Sequence, residues 1–377
     1  MLSRVVSKMP KSKNIRVLMT VSRSDSPRTG GEKSNWYLQQ GLTRSMACDF
    51  KVIDFEKAPY WIHLFRGRVN PIFFLMINVW YCYHIFSYKP AIFIEDHYFS
   101  RHCMLVNMLL PLLGHIKIFF LVRDLRFLQA STWAFFSLSF KLGMKRANTV
   151  VFNSEATKKA LLPRVAFNGA IKVIYPGFDK HQTLTFNRVW GSTPVSLLFA
   201  GVIRPLKELD LVIHALAEVK SRSWVLHIAG RSDADPVYFM HIQKEIQRLG
   251  LHEQVHFLGQ LDRKELEQAY QQAELFILPS RNEAFGQVFL EAMSWKLPVL
   301  ASFSGGAVEI LEHSGGGLLL PVGDVHAWAQ ALEGLLSDAQ MRESMGEKAW
   351  QRSEQFGGWQ QMVDSFVLLI QKRDADA

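Results

Sequence analysis

The residues best suited to chemistry lie in one stretch, Glu283-Ala284-Phe285-Gly286-Gln287-Val288-Phe289-Leu290-Glu291, with Pro279-Ser280-Arg281-Asn282 just before it. The apolar run Leu275–Leu278 has the length of a buried strand. Pro279, Ser280, Asn282 and Gly286 supply turn chemistry, and a helical pattern begins at Val288, Leu290, Ala292 and Met293. A strand, a tight loop and a helix start aim unpaired N–H groups and the positive end of the helix dipole at one place, a natural anion site. Glu283 stands in the loop and Glu291 about one turn inside the helix. An anion site flanked by two carboxylates suits a ligand with both phosphates and hydroxyls, as a nucleotide sugar has.

A second group is Gly201-Val202-Ile203-Arg204-Pro205-Leu206-Lys207, between an apolar run and a helical pattern. Arg204 and Lys207 could clamp a diphosphate and neutralise its charge as it departs; alone they could equally be solvated surface cations. In the first half, Arg123-Asp124 follows the run Ile116–Val122, at a strand end where open α/β sheets place ligands. The alternative there is a surface ion pair at a helix start. Gly30-Gly31 follow the first strand and serve either a ligand or a plain turn; without G-x-G-x-x-G they do not mark a dinucleotide site. Asp233-Ala234-Asp235 has a metal-binding look, but Asp374-Ala375-Asp376 repeats it in the tail and short tripeptides recur by chance. The histidines and cysteines lack ligand spacing, so no metal and no cofactor is expected.

Behind these residues the chain alternates strand and helix. Residues 15–21, 51–55, 90–94, 116–122, a run within 146–155 and 171–174 read as strands of a first sheet. Residues 196–200, 224–229, 255–258, 275–278, 298–301 and 318–320 read as strands of a second, with helical patterns such as Leu209, Val212, Ile213 and Leu216 between them. Such alternation implies two covered, mostly parallel sheets. A polar connection from Tyr175 to Pro194 divides residues 1–185 from 186–355. The last amphipathic segment, Trp359–Ile370, packs across the junction, and 356–372 returns near the first domain.

The 377 residues carry a formal charge of +9. Residues 1–185 hold 26 Lys+Arg against 10 Asp+Glu, a charge of +16; the rest hold 17 against 24, a charge of −7. A basic half attracts anionic lipid or phosphate; its cations are scattered, with no groove-reading motif, so nucleic acid is not expected. The three cysteines are odd in number and fit thiols in a reducing compartment. The basic N-terminus has no apolar core, so a cytoplasmic protein is expected. Val69–Tyr88 has no charged residue over a bilayer-spanning length. Polar interruptions at Asn70, Asn78 and His84, and sheet strands on both sides of it, favour a half-buried helix that touches lipid.

Taken in order, these features resemble glycosyltransferase family 4, retaining enzymes of the GT-B fold. The carriers are Gly30-Gly31, the Val151–Ser154 strand, Ile174-Tyr175-Pro176-Gly177-Phe178-Asp179 and Gly201…Arg204…Lys207. Ile228-Ala229-Gly230, Phe257-Leu258-Gly259, Glu283…Glu291, Pro298-Val299 and Gly305-Gly306…Glu309 complete the set. The resemblance implies two Rossmann-like, doubly wound parallel-sheet domains facing across a cleft. It implies transfer of a sugar from a nucleoside diphosphate to a glycan or lipid-linked acceptor, in cell-surface polysaccharide or glycolipid synthesis. Arg204 and Lys207 would hold the diphosphate, Glu283 the sugar and Glu291 the ribose. Phe285, Gly286, Gln287 and Val288 would line the donor, Gly230 and Arg231 would approach the base, and Gly31 would complete the donor set. A histidine common near the reacting centre is replaced by Arg123-Asp124, leaving Asp124 or His97 as the acceptor-side group. Same-fold alternatives are a nucleotide-sugar epimerase or a phosphorylase; a non-enzymatic nucleotide-sugar binder is the alternative from another class. The charge asymmetry adds an expected partner, an anionic membrane surface at the inner face, met by residues 1–185.

Overall fold

The computed structural model describes residues 15–21, 30–45, 48–59, 71–96, 106, 109, 116–123, 134–165, 167–181, 188–219 and 223–372. The chain forms two compact units, Met1–Gly177 with Gly357–Ala377, and Phe178–Phe356.

In the first unit the described elements are β1 (Ile15–Val21), α1 (Gly30–Ser45), β2 (Cys48–Asp54), α2 (Pro71–Tyr88), β3 (Ile92–Asp96), β4 (Lys117–Val122), α3 (Ala134–Arg146), β5 (Thr149–Phe152), α4 (Glu155–Leu161) and β6 (Ala170–Val173). The strands pair in parallel in the order β2-β1-β3-β4-β5-β6. Strands covered on both faces read as unbroken apolar runs, and Ile118–Val122 is buried throughout. Ser154 caps α4, its Oγ accepting from the Thr157 N–H at 3.0 Å. Gly30 and Gly31 open α1 and do not stand in a loop. The uncharged run becomes α2, with Ile77, Tyr81 and Ile85 in a core shared with Leu18, Phe93 and Phe120. Among the described residues no helix is long and apolar enough to cross a membrane.

The second unit contains β7 (Val195–Ala200), α5 (Leu209–Glu218), β8 (Trp224–Ala229), α6 (Pro236–Arg248), β9 (Val255–Gly259), α7 (Arg263–Gln272), β10 (Leu275–Leu278), α8 (Gln287–Ser294), β11 (Val299–Ser302), α9 (Gly306–Leu311), β12 (Gly317–Leu320), α10 (Val325–Ser337) and α11 (Ala339–Ser353). Its strands are also parallel, in the order β12-β11-β10-β7-β8-β9. The winding direction reverses between β7 and β10, and between β1 and β3 in the first sheet. Doubly wound sheets bind ligands at the carboxyl ends of such strands.

The units divide at Gly177/Phe178, earlier than the break read at residue 185. The reason is packing: Phe178 lies in the second unit's core, and the His181 ring stacks on Trp295 with centroids 3.6 Å apart. Arg188 donates to the carbonyls of Tyr270, Gln271 and Trp295. A buried pair, Arg342 Nη2 to Glu274 Oε2 at 2.7 Å, completes the anchorage, because Glu274 also accepts from the Gly191 and Ser192 N–H groups. The last helix, α12 (Trp359–Lys372), buries Met362, Val363, Phe366, Val367 and Ile370 in the first unit's core with Leu38 and Leu42.

Candidate active site

At the carboxyl edge of the second sheet, the loops after β7, β10 and β11 are bonded to one another. The Arg281 N–H donates to the Leu206 carbonyl at 3.0 Å. Ser304 Oγ donates to the Ser280 carbonyl at 2.8 Å, and the Gly306 N–H to the Glu283 carbonyl at 2.7 Å. Gly305 sits at φ +51, and a Cβ on it would fall 2.0 Å from the Glu283 carbonyl oxygen. A glycine there lets the loop bearing Glu283 lie directly on the next one. The loop after β8 joins at Gly230, where a Cβ would fall 1.8 Å from the Gly201 carbonyl oxygen.

The side chains converge across these loops. Lys207 Nζ lies 2.5 Å from Glu283 Oε2, both groups mostly shielded from solvent. Arg204, half-buried and three residues earlier, has no side-chain partner among the described residues. A shielded guanidinium without a counter-charge, beside a lysine, is an arrangement that an anion completes. Gly286, at φ +96, opens α8, and Phe285 is buried edge-on to Phe356. Gln287 and Val288 form the first turn, whose N–H groups carry the positive end of the helix dipole. Glu291 is 8% exposed and accepts from the Tyr270 hydroxyl at 3.2 Å. Burial pushes the Tyr270 hydroxyl well above tyrosine's ordinary value, and the Glu291 carboxylate pushes it further, so it stays protonated as a donor.

Sequence reasoning missed two partners here. Glu208 follows Lys207 in the left-handed conformation, φ +44, 3% exposed, its Oε1 2.6 Å from Arg281 Nε. Burial raises its carboxyl above the ordinary glutamate value and Arg281 opposes the shift. No residue pattern announces a non-glycine residue at positive φ. Tyr270 was equally hidden, being an aromatic on a polar helix.

Arg231 is bound to Asp233 by two hydrogen bonds of 2.9 and 3.0 Å, and Asp235 caps α6 by accepting from the Tyr238 N–H. Both aspartates of the Asp-x-Asp pattern thus have structural work. Among the described residues no cluster of His, Cys, Asp and Glu could hold a metal.

In the first unit, Arg123 Nη1 donates to the Gly31 carbonyl at 2.9 Å, and Asn35 Nδ2 to Asp96 Oδ2 at 2.7 Å. Asn153 Nδ2 reaches the Arg123 carbonyl at 3.1 Å. Burial lowers the Arg123 guanidinium from its ordinary value and the nearby Asp96 pulls it back. These groups gather at the first sheet's own winding reversal, with Gly31 held by Arg123 within this unit. Asp124 and His97 lie outside the described residues, as does most of the apolar run Met104–Leu113, which reads as a helix.

Two parallel sheets of doubly wound order, one with cations and carboxylates at its reversal point, define the chain as a GT-B fold. Residues 182–352, most of the second unit, match the family model described as Glycosyl transferases group 1. It is similar to the D-inositol 3-phosphate glycosyltransferase of Jonesia denitrificans, 33% identical over 188 residues that span 48% of this chain and 44% of that protein. The chain spans about half the length of the curated relatives it matches. Among solved structures, sucrose-phosphate synthase from Thermosynechococcus elongatus superposes with a TM-score of 0.80 at 18% identity, over 97% of this chain and 100% of that one. Anabaena HepE, solved in complex with UDP-glucose, superposes with a TM-score of 0.74 at 19% identity, over 95% and 100%. These likenesses are of fold.

Proposed function

We propose that the protein is a retaining glycosyltransferase that moves a sugar from a nucleoside diphosphate to a glycan or lipid-linked acceptor, for cell-surface polysaccharide or glycolipid synthesis. The observation that carries the reading is the cluster at the second sheet's reversal point: Arg204, with no side-chain partner among the described residues, the Lys207–Glu283 pair and Glu291 held by Tyr270. Arg204 and Lys207 take the diphosphate, Glu283 contacts the sugar and Glu291 the ribose hydroxyls. Phe285, Gly286, Gln287 and Val288 line the donor, Gly230 and Arg231 lie toward the base, and Gly31 is assigned to the donor set on the family resemblance. The bond from the sugar's anomeric carbon to the leaving phosphate oxygen breaks, and the acceptor oxygen bonds that carbon on the same face. The acceptor's proton passes to the departing phosphate, whose growing charge the two cations stabilise. No metal or cofactor is called on. Asp124 is assigned the acceptor-side role on the family resemblance.

The relatives named for D-inositol 3-phosphate and exopolysaccharide work support phosphate-bearing and glycan acceptors alike. The basic first half supports peripheral attachment at the cytoplasmic face of a membrane. The test is incubation with a panel of nucleotide sugars, in the presence of EDTA, with detection of free nucleoside diphosphate and NMR of the product's anomeric configuration. Release of diphosphate with an acceptor and retained configuration support the reading; no release from any donor, or inversion, overturns it.

A further inference from the structure

The outward face of α2 does not suit water. A surface helix ordinarily buries one apolar stripe and presents charged or polar residues on the other side. Pro71–Tyr88 contains no Asp, Glu, Lys or Arg. Its inner face, with Ile77, Tyr81 and Ile85 at 0–2% exposure, is already used by the core. The opposite face carries Leu75 at 56%, Val79 at 57%, Tyr83 at 66% and Phe86 at 46% exposure. Spacings of four, four and three put them in one line along the helix. Trp80 and His84, half-buried with rings packed edge to face 4.9 Å apart, flank that line. Isolated exposed apolar side chains are ordinary, but an unbroken row on a chargeless helix is not.

The charge around the row indicates what covers it. Lys89 follows the helix directly and is exposed. Lys51 Nζ sits 5.5 Å from the centre of the Tyr88 ring, and Arg16 Nη1 donates to the Tyr88 carbonyl at 2.8 Å. The exposed Asp49 is the carboxylate beside them, its carbonyl accepting from the Tyr88 hydroxyl. Capping of the helix's negative end accounts for Arg16; it does not account for the apolar row. Apolar side chains in line, aromatic rings at their edge and cations at one end match a helix lying in the plane of an anionic bilayer. A second copy packed in parallel would bring the same cations against one another, and a second copy in either direction supplies no anionic surface for them.

We infer that α2 is a membrane-docking helix that lies along the surface of an anionic bilayer and inserts Leu75, Val79, Tyr83 and Phe86 among the lipids. The inference rests on the attachment proposed above and deepens it: the basic half steers, and this row anchors. In this arrangement the first unit, to which the acceptor role is given, is held at the lipid surface.

The experiment is flotation of the full chain with phosphatidylcholine vesicles, with and without phosphatidylglycerol. The central variant is Val79→Lys/Tyr83→Lys, which removes apolar surface while adding positive charge. Wild type is expected to float with the anionic vesicles and keep part of its binding in high salt. The variant is expected to bind about ten-fold more weakly or worse, with an unchanged melting temperature; Leu75→Ser/Phe86→Ser, at the two ends of the row, serves as a second variant should the first melt early. Variants that bind as tightly as wild type, or more tightly, show attachment by charge alone and overturn the docking helix while leaving the attachment intact. Wild type that floats with neither vesicle overturns both. A wild-type dimer that light scattering shows to be monomeric in the variants makes the row a self-interface and overturns the inference.

Discussion

Lys207 Nζ and Glu283 Oε2 lie 2.5 Å apart, joining residues separated by 76 positions in the chain. The pair leaves the lysine neutralised and Arg204 with no partner among the described residues. A diphosphate bound as proposed would meet one uncompensated cation and one that it must share with, or take from, a carboxylate.

From this, Arg204→Ala is expected to leave the melting temperature unchanged and to depress turnover, because it breaks no described contact. Lys207→Ala is expected to lower kcat more than it raises KM, since charge on the leaving group grows as the bond breaks. Steady-state kinetics with the donor found in the panel check both. Near wild-type kcat in both variants would show that neither cation serves the leaving group.

Glu291→Ala is expected to weaken donor binding by about 1.5–3 kcal/mol, the range for a lost hydrogen bond to a charged group. Tyr270→Phe is expected to cost less, because it removes one donor to the carboxylate and leaves Glu291 in place. Titration calorimetry with the nucleoside diphosphate gives the order. Equal, unchanged affinities would make Glu291 a packing residue.

Gly230→Ala and Glu208→Gly should act in opposite directions. A Cβ at Gly230 would meet the Gly201 carbonyl oxygen at 1.8 Å, which forces the two backbones apart; lowered thermal stability and lost turnover are expected together. Glu208→Gly relieves a left-handed glutamate and a buried carboxylate, and gives up a pair whose arginine is mostly solvated. Its stability in urea is expected to stay within about 1 kcal/mol of wild type, on the stable side. A large loss would show that the Arg281 pair holds the two loops together.

Arg342→Met tests the buried pair behind the site. Burial by itself would raise the Glu274 carboxyl, but hydrogen bonds from Ser192, Arg342 and the Gly191 N–H outweigh it and hold the group below its ordinary 4.5. A lowered folded-state value gives stability that is complete above the unfolded value and is lost as pH falls through the lowered one. The variant is expected to lose about 3–5 kcal/mol at pH 7, the cost of stranding a buried charge. That deficit should shrink in acid, where the carboxylate protonates; urea melts at pH 7 and below pH 4 compare the two. A deficit independent of pH would assign the loss to packing alone.

Local sequence was enough for the sheets and for the loop between β10 and α8. Leu275–Leu278 could only be a covered strand, and Pro279–Gly286 could only be a turn into a helix, since apolar runs and turn residues act over a few positions. The ordered glycines and charged residues also pointed to the glycosyltransferases whose group 1 model matches residues 182–352. Four matters needed the tertiary structure. Glu208 occupies a backbone conformation that its residue type does not signal. Tyr270 and Glu291 stand on different helices, and only the folded unit brings them within hydrogen-bond distance. The boundary at Phe178 depends on which core that ring enters. The α2 helix is apolar all round, so its sequence has no period from which to tell the face that packs on the sheet from the face left outside. Tertiary packing made that choice, covering Ile77, Tyr81 and Ile85 and leaving Leu75, Val79, Tyr83 and Phe86 exposed.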